Sequence, residues 1–136
     1  MKKYVQVFVC FLVGVMPIFG QAPFQKAMVN QGTLTITPDA VVSTSYDFDN
    51  TASGVVKNDG TTYYYGNFNN DNLYYHTDQS PTSQAIFTPF GATSGTQQIT
   101  GEKPSDFYDV VFDNPTPVKG FDVKTEMNVK GSVDFQ

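Results

Sequence analysis

Residues 121–135 read FDVKTEMNVKGSVDF. Phe121, Val123, Thr125, Met127, Val129, Gly131, Val133 and Phe135 take the odd positions, and Asp122, Lys124, Glu126, Asn128, Lys130 and Asp134 take even ones. Successive side chains on a strand point to opposite faces, so this alternation specifies a β-strand pattern with one apolar face. Gly120 and Gly131 are candidate bends or bulges within it. The alternation is still running at Gln136. Proteins pair or cover an apolar strand edge of this kind, so the expectation is a fragment of a longer chain.

Outward from this stretch the same period recurs. Leu34 and Ile36 share one face of GTLTIT, and Val42, Thr44, Tyr46 and Phe48 share one parity of VVSTSYDF. Turn signals separate these runs: Pro38-Asp39, the DNTASG stretch, and Asn58-Asp59-Gly60. No apolar face repeats at the helical period, and Thr, Val, Tyr and Phe suit pleated surfaces. The expectation is an all-β chain. Two weak repeats are present. NQGTLTI at 30–36 resembles NDGTTYY at 58–64, and FDN at 48–50 recurs as FNN at 68–70 and FDN at 112–114. Repeats of this length point to stacked units.

The first twenty residues have a different character. A basic MKKY start, an apolar run interrupted by Pro17 and a small residue at Gly20 read as a secretory signal peptide cleaved after Gly20. Cleavage after Ala22 is disfavoured by Pro23, and a lipid anchor on Cys10 by the Phe8-Val9 that precedes it. The run is too short to make a stable membrane span. The expectation is one all-β module over 21–136, exported to the cell surface, the extracellular space or the periplasm.

The lone cysteine leaves with the signal, which removes disulfides and thiolate metal sites from the mature chain. Lys2 and Lys3 leave as well, so six lysines face thirteen Asp and Glu, a net charge of −7 without a single arginine. That balance argues against nucleic acid and anionic membranes, which need clustered cations.

The stretch TTYYYGNFNNDNLYYH, 61–76, concentrates aromatic residues and the chain's one histidine. Tyr63 and Tyr65 share a strand face, Tyr64 takes the other, and Tyr74 and Tyr75 split likewise. NNDN at 69–72 is the expected turn of a hairpin that pairs the two aromatic strands. Such pairs stabilise a sheet. The functional reading makes Tyr63, Tyr65, Tyr74 and Tyr75 a platform for glycans or another surface protein.

The candidates for other chemistry are few. His76 with Ser80 or Ser83 lacks any nucleophile elbow. Asp106 and Asp109, or Asp47 and Asp49, are carboxylate pairs of glycosidase type without a cleft to hold them. Asp47, Asp49 and Asp71 are weak calcium candidates, because DFDNTASG and NNDN gather oxygen ligands but lack a distal glutamate. No catalytic residue and no cofactor is assigned.

The motifs VNQGTLTITPDAVVS, NDGTTYYYGNFNN, GTQQITGEKPSDFYDVVFDN and FDVKTEMNVKGSVDF resemble the N-terminal β-repeat region of large secreted adhesin-like surface proteins of Bacteroidota. The resemblance spans 28–136. It implies a β-solenoid-like stack of short strands and a structural or adhesive role, with type IX secretion or gliding-motility sorting domains at the C-termini of such proteins. Residues 1–136 do not include a sorting domain. The alternative architecture is an antiparallel β-sandwich, small, secreted and carbohydrate-binding through its tyrosines.

Overall fold

A computed structural model describes residues 27–77, 82–89, 95–115 and 120–136. The signal segment 1–20, Ser80, and the lysine at 119 lie outside these residues. Fifteen short strands wind into five coils. The first coil is β1 (Ala27–Asn30), β2 (Thr33–Ile36) and β3 (Val41–Thr44). The second is β4 (Asp47–Asn50), β5 (Val55–Asn58) and β6 (Thr61–Tyr64). The third is β7 (Phe68–Asn70), β8 (Leu73–Tyr75) and β9 (Gln84–Phe87). The fourth is β10 (Thr96–Thr100), β11 (Ser105–Phe107) and β12 (Asp109–Phe112). The fifth is β13 (Gly120–Val123), β14 (Met127–Val129) and β15 (Val133–Phe135).

Each strand of the first four coils pairs in parallel with the strand three places on. Three five-stranded sheets result. Sheet A starts at β1, sheet B at β2 and sheet C at β3. This is a β-solenoid, and it replaces the antiparallel sandwich. It also replaces the aromatic hairpin. β6 lies in sheet C between β3 and β9, while β8 lies in sheet B between β5 and β11. Asn and Asp stabilise a solenoid corner by the same local hydrogen bonds that they use in a hairpin turn, so turn chemistry alone does not choose the pairing partner.

On sheet A the rung spacing is twenty residues over the first three coils. Met28, Phe48 and Phe68 stack in register on sheet A, and Asn30, Asn50 and Asn70 stack two residues on. Hence FDN and FNN at 48 and 68 are true equivalents. FDN at 112 is not, since Phe112 belongs to sheet C. The NQGTLTI–NDGTTYY match is also not a rung repeat: β2 is in sheet B and β6 in sheet C. What the two segments share is a corner, in which Gly32 N–H donates to Asn30 Oδ1 and Gly60 N–H to Asn58 Oδ1, each at 3.3 Å.

Parity places the core. Tyr64, Phe87, Phe112 and Phe135 form one inward stack on sheet C, with consecutive rings 5.2, 5.7 and 5.2 Å apart and within 23° of parallel. Phe68 on sheet A and Tyr74 and Phe107 on sheet B fill the centre. The 121–135 alternation is not one strand. It bends around two corners into β13, β14 and β15, and keeps its parity through both. Phe121, Met127 and Val129 still pack on the core.

Corners also carry asparagine. Asn30 Nδ2 donates to Asn50 Oδ1 at 2.8 Å, Asn50 Nδ2 to Asn70 Oδ1 at 2.7 Å, and Asn70 Nδ2 to Ser105 Oγ at 2.9 Å. Each amide also donates to a main-chain carbonyl where the next strand begins: Val55, Leu73 and Pro104. The ladder thus joins rung to rung and strand to strand.

At the corresponding corner of the fourth coil stands Gly101, with φ of 150°. A Cβ there would overlap the Asn70 carbonyl of the rung below. Gly101→Ala is therefore expected to destabilise by about 2–4 kcal/mol, combining backbone strain with the displacement of a main-chain neighbour. Urea unfolding should show it. Gly32→Ala, where a Cβ meets open space, is the control and should cost under about 1 kcal/mol.

Two core tyrosines share a hydrogen bond. Tyr64 and Tyr74 hydroxyls lie 2.9 Å apart, and Asn58 Nδ2 donates to Tyr74 Oη at 3.1 Å. Burial pushes the Tyr74 hydroxyl up to about 12, and burial followed by the Tyr74 neighbour pushes Tyr64 well above the ordinary 10.0. Both groups are held neutral by the fold. Their contribution is complete below pH 10, the value they recover on unfolding, and is lost as pH rises through their folded values. Absorbance titration should therefore leave these two phenols silent until the chain unfolds in alkali. Ionisation of all the tyrosines while the far-ultraviolet dichroism is intact would contradict this.

Candidate functional site

The interior is filled by side chains, so functional groups must be sought on the three outer faces. The outer face of sheet B carries a row along the solenoid axis. Thr35, Lys57 and Tyr75 are in register, and Asp106 and Asn128 are in register on the two following strands. Tyr74 pairs with Ser105, which sets Tyr75 beside Asp106. Asn128 Nδ2 donates to Asp106 Oδ1 at 2.8 Å.

Two shallow hollows flank this Asp106–Asn128 bridge and share both residues. One, of about 280 Å³, is walled by Tyr75, His76, Phe107, Val129 and Lys130. The other, of about 330 Å³, is walled by Asn72, Leu73, Lys103 and Pro104. His76 is set by its neighbours: Nδ1 lies 3.1 Å from the Thr77 carbonyl oxygen, and the ring meets Tyr108 edge-on at 5.5 Å.

The four tyrosines of the expected platform do not share a face. Tyr74 is in the core, 1 % exposed, and cannot meet a ligand. The signal it carried was real but structural, because its parity points inward. Tyr63 and Tyr65 are on the outside of sheet C, stacked at 6.1 Å and 12°. Tyr75 alone lines the sheet B furrow.

The calcium candidates divide too. Asn69 Nδ2 donates to Asp49 Oδ1 and to Asp71 Oδ2, both at 2.9 Å. An amide donor thus occupies the position between the two carboxylates where a cation would have to sit. Asp71 Oδ1 accepts from Glu102 N–H, and Asp47 Oδ1 accepts from Asn67 N–H. Among the described residues no three His, Cys, Asp or Glu are gathered for a metal.

The carboxylate pair Asp106 and Asp109 is split as well. Asp109 Oδ1 accepts from the N–H and hydroxyl of Ser132 at 2.7 and 2.8 Å, around a different corner. Ser83 is buried with its hydroxyl donating to the Asn58 carbonyl at 2.6 Å. The best-buried carboxylate, Asp59, is also structural. Burial opposes its charge, but Thr77 N–H and Lys57 Nζ, the latter at 2.9 Å, outweigh it and hold its pKa below the usual 3.8.

Asp106 and Asn128 stand twenty-two residues apart in sequence. Only the rung register joins them, and no local stretch of the sequence carries that register. The asparagine ladder had a sequence signal, the F-x-N repeat at 48–50 and 68–70. Comparison with protein-family models, curated proteins and solved structures gives no match. No helix among the described residues is long and apolar enough to cross a membrane.

Proposed function

We propose that this chain is a non-catalytic, exported module of the cell surface or extracellular space, structural and adhesive in role. The observation that carries the reading is where the chemistry is spent. Aromatic rings and asparagine amides are stacked through the interior. Asp47, Asp59, Asp71 and Asp109 are engaged as acceptors that fasten corners and adjoining rungs. Such a body is a stiff spacer whose flat outer faces are what it offers to others. The signal-like start and the adhesin-like motifs of Bacteroidota surface proteins support the same reading.

The test is topological. Intact cells that express the full chain are treated with a protease that cannot enter them. Loss of the protein without loss of a cytoplasmic marker is the expected result. Full protection on intact cells, and no secreted protein in the medium, would overturn the proposal.

A further inference from the structure

We propose that the outer face of sheet B is a saccharide-binding furrow centred on Tyr75, Asp106 and Asn128. The inference deepens the adhesive reading above and rests on it. The two hollows share the Asp106–Asn128 bridge, so a ligand that fills one is led across the bridge into the other. Each is at the small end of ligand sites, and open rather than enclosed, which suits single units of a chain lying on a surface. One hollow draws on the C-terminal sides of β8, β11 and β14 and the other on their N-terminal sides, so a saccharide chain that fills both lies along the strands, across the solenoid axis.

The lining chooses the chemistry. Tyr75 supplies an apolar ring with a polar tip, and Leu73 with Pro104 supplies an apolar wall across the bridge. Between them Asp106 offers a carboxylate and Asn128 an amide. A pyranose ring presents the matching pattern, one face of C–H groups and a rim of hydroxyls. Nucleic acid fits poorly, because the furrow is centred on a carboxylate in a chain of net charge −5. The furrow is also already in shape. Asn128 holds Asp106, and the Tyr108 ring with the Thr77 carbonyl holds His76. Binding therefore spends little on ordering side chains.

The stacked Tyr63–Tyr65 pair on the outside of sheet C provides the internal comparison, since it is a half-buried aromatic pair that does not line either hollow. The experiment is a titration of the purified chain with cellohexaose, xylohexaose and a hexamer of galacturonate, followed by amide NMR. At least one should bind at millimolar concentration and shift the amides of 73–76, 105–107 and 127–129. Tyr75→Ala and Asn128→Ala should each weaken that binding roughly tenfold. Tyr63→Ala should leave it unchanged, with dichroism confirming the fold of all three. Lys103→Ala should weaken the galacturonate arm alone, which separates recognition of a uronic carboxylate from recognition of the ring. No shift with any of the three sugars overturns the inference, as does binding that survives Tyr75→Ala and is lost in Tyr63→Ala. Either failure leaves the surface-protease result standing, so the furrow and the exported role are tested apart.

Discussion

Asn50→Ala is expected to lower the stability of the fold by about 3–5 kcal/mol. Asn50 is fully buried and sits at the middle of the ladder. Its removal deprives Asn70 Oδ1 and the Leu73 carbonyl of a donor, and Asn30 Nδ2 of an acceptor. A buried group left unpaired costs more than the hydrogen bond it made had contributed: buried Asn70 Oδ1 loses its donor, the Leu73 carbonyl loses one, and Asn30 Nδ2 keeps only the Val55 carbonyl. The proper comparison is Asn72→Ala. Asn72 makes one hydrogen bond, to the Gly54 carbonyl at 2.9 Å, and is not fully buried. It should cost about 1 kcal/mol. Equal midpoints for the two variants in urea would sink the claim that the ladder holds the coils in register.

Asn50→Asp sharpens the test. A carboxylate at this position still accepts from Asn30 but has no proton for Asn70 Oδ1 or the Leu73 carbonyl. Burial and two facing acceptors favour its neutral acid, which can donate once. Its deficit should therefore be larger at pH 7 than at pH 4, the reverse of what a surface aspartate produces. A deficit independent of pH would mean that water reaches the ladder.

Phe68→Ala should be as damaging, at about 4–5 kcal/mol. Phe68 is fully buried, and its ring centre lies 4.9 to 6.2 Å from five others. Those five come from all three sheets: Phe48 from A, Tyr74 and Phe107 from B, Tyr64 and Phe87 from C. Truncation leaves a cavity at a point where rings from all three walls meet. In a stacked protein each coil is stabilised through its neighbours, so a hole in the third coil also uncouples the coils on either side. The urea transition should broaden as well as move, with a smaller slope against denaturant. Phe135→Ala removes a ring that is 75 % exposed and stacks on Phe112 alone. It should cost about 1 kcal/mol and leave the slope unchanged. A sharp, unbroadened transition for Phe68→Ala would show that the coils unfold as one body regardless of the central ring.

The strand character of this chain is written in single residues. Phe121 through Phe135 alternate, and each side of a strand needs only its own neighbours two residues away. The corners are equally local, because Asn30 and Asn58 fold back on the glycines two residues on. A stack of short strands was accordingly an expectation of the sequence. Three things were not local. Tyr63, Tyr64, Tyr74 and Tyr75 are chemically alike, and no nearby residue says which of them turns inward. Tyr64 goes in because Phe87, twenty-three residues on, continues its stack, and Tyr74 because Phe107 and Tyr64 meet it inside. The partner of each strand was equally hidden. A corner and a hairpin turn use the same Asn and Asp bonds, and the choice between them lies with main-chain ladders eighteen or more residues away. Last, the furrow exists only because coils of unequal length still bring Tyr75, Asp106 and Asn128 into one row. Alternation and turns follow from short-range sterics and hydrogen bonds, which any window of the chain contains. Register follows from burying one common core along the whole stack, and that free energy belongs to no single window.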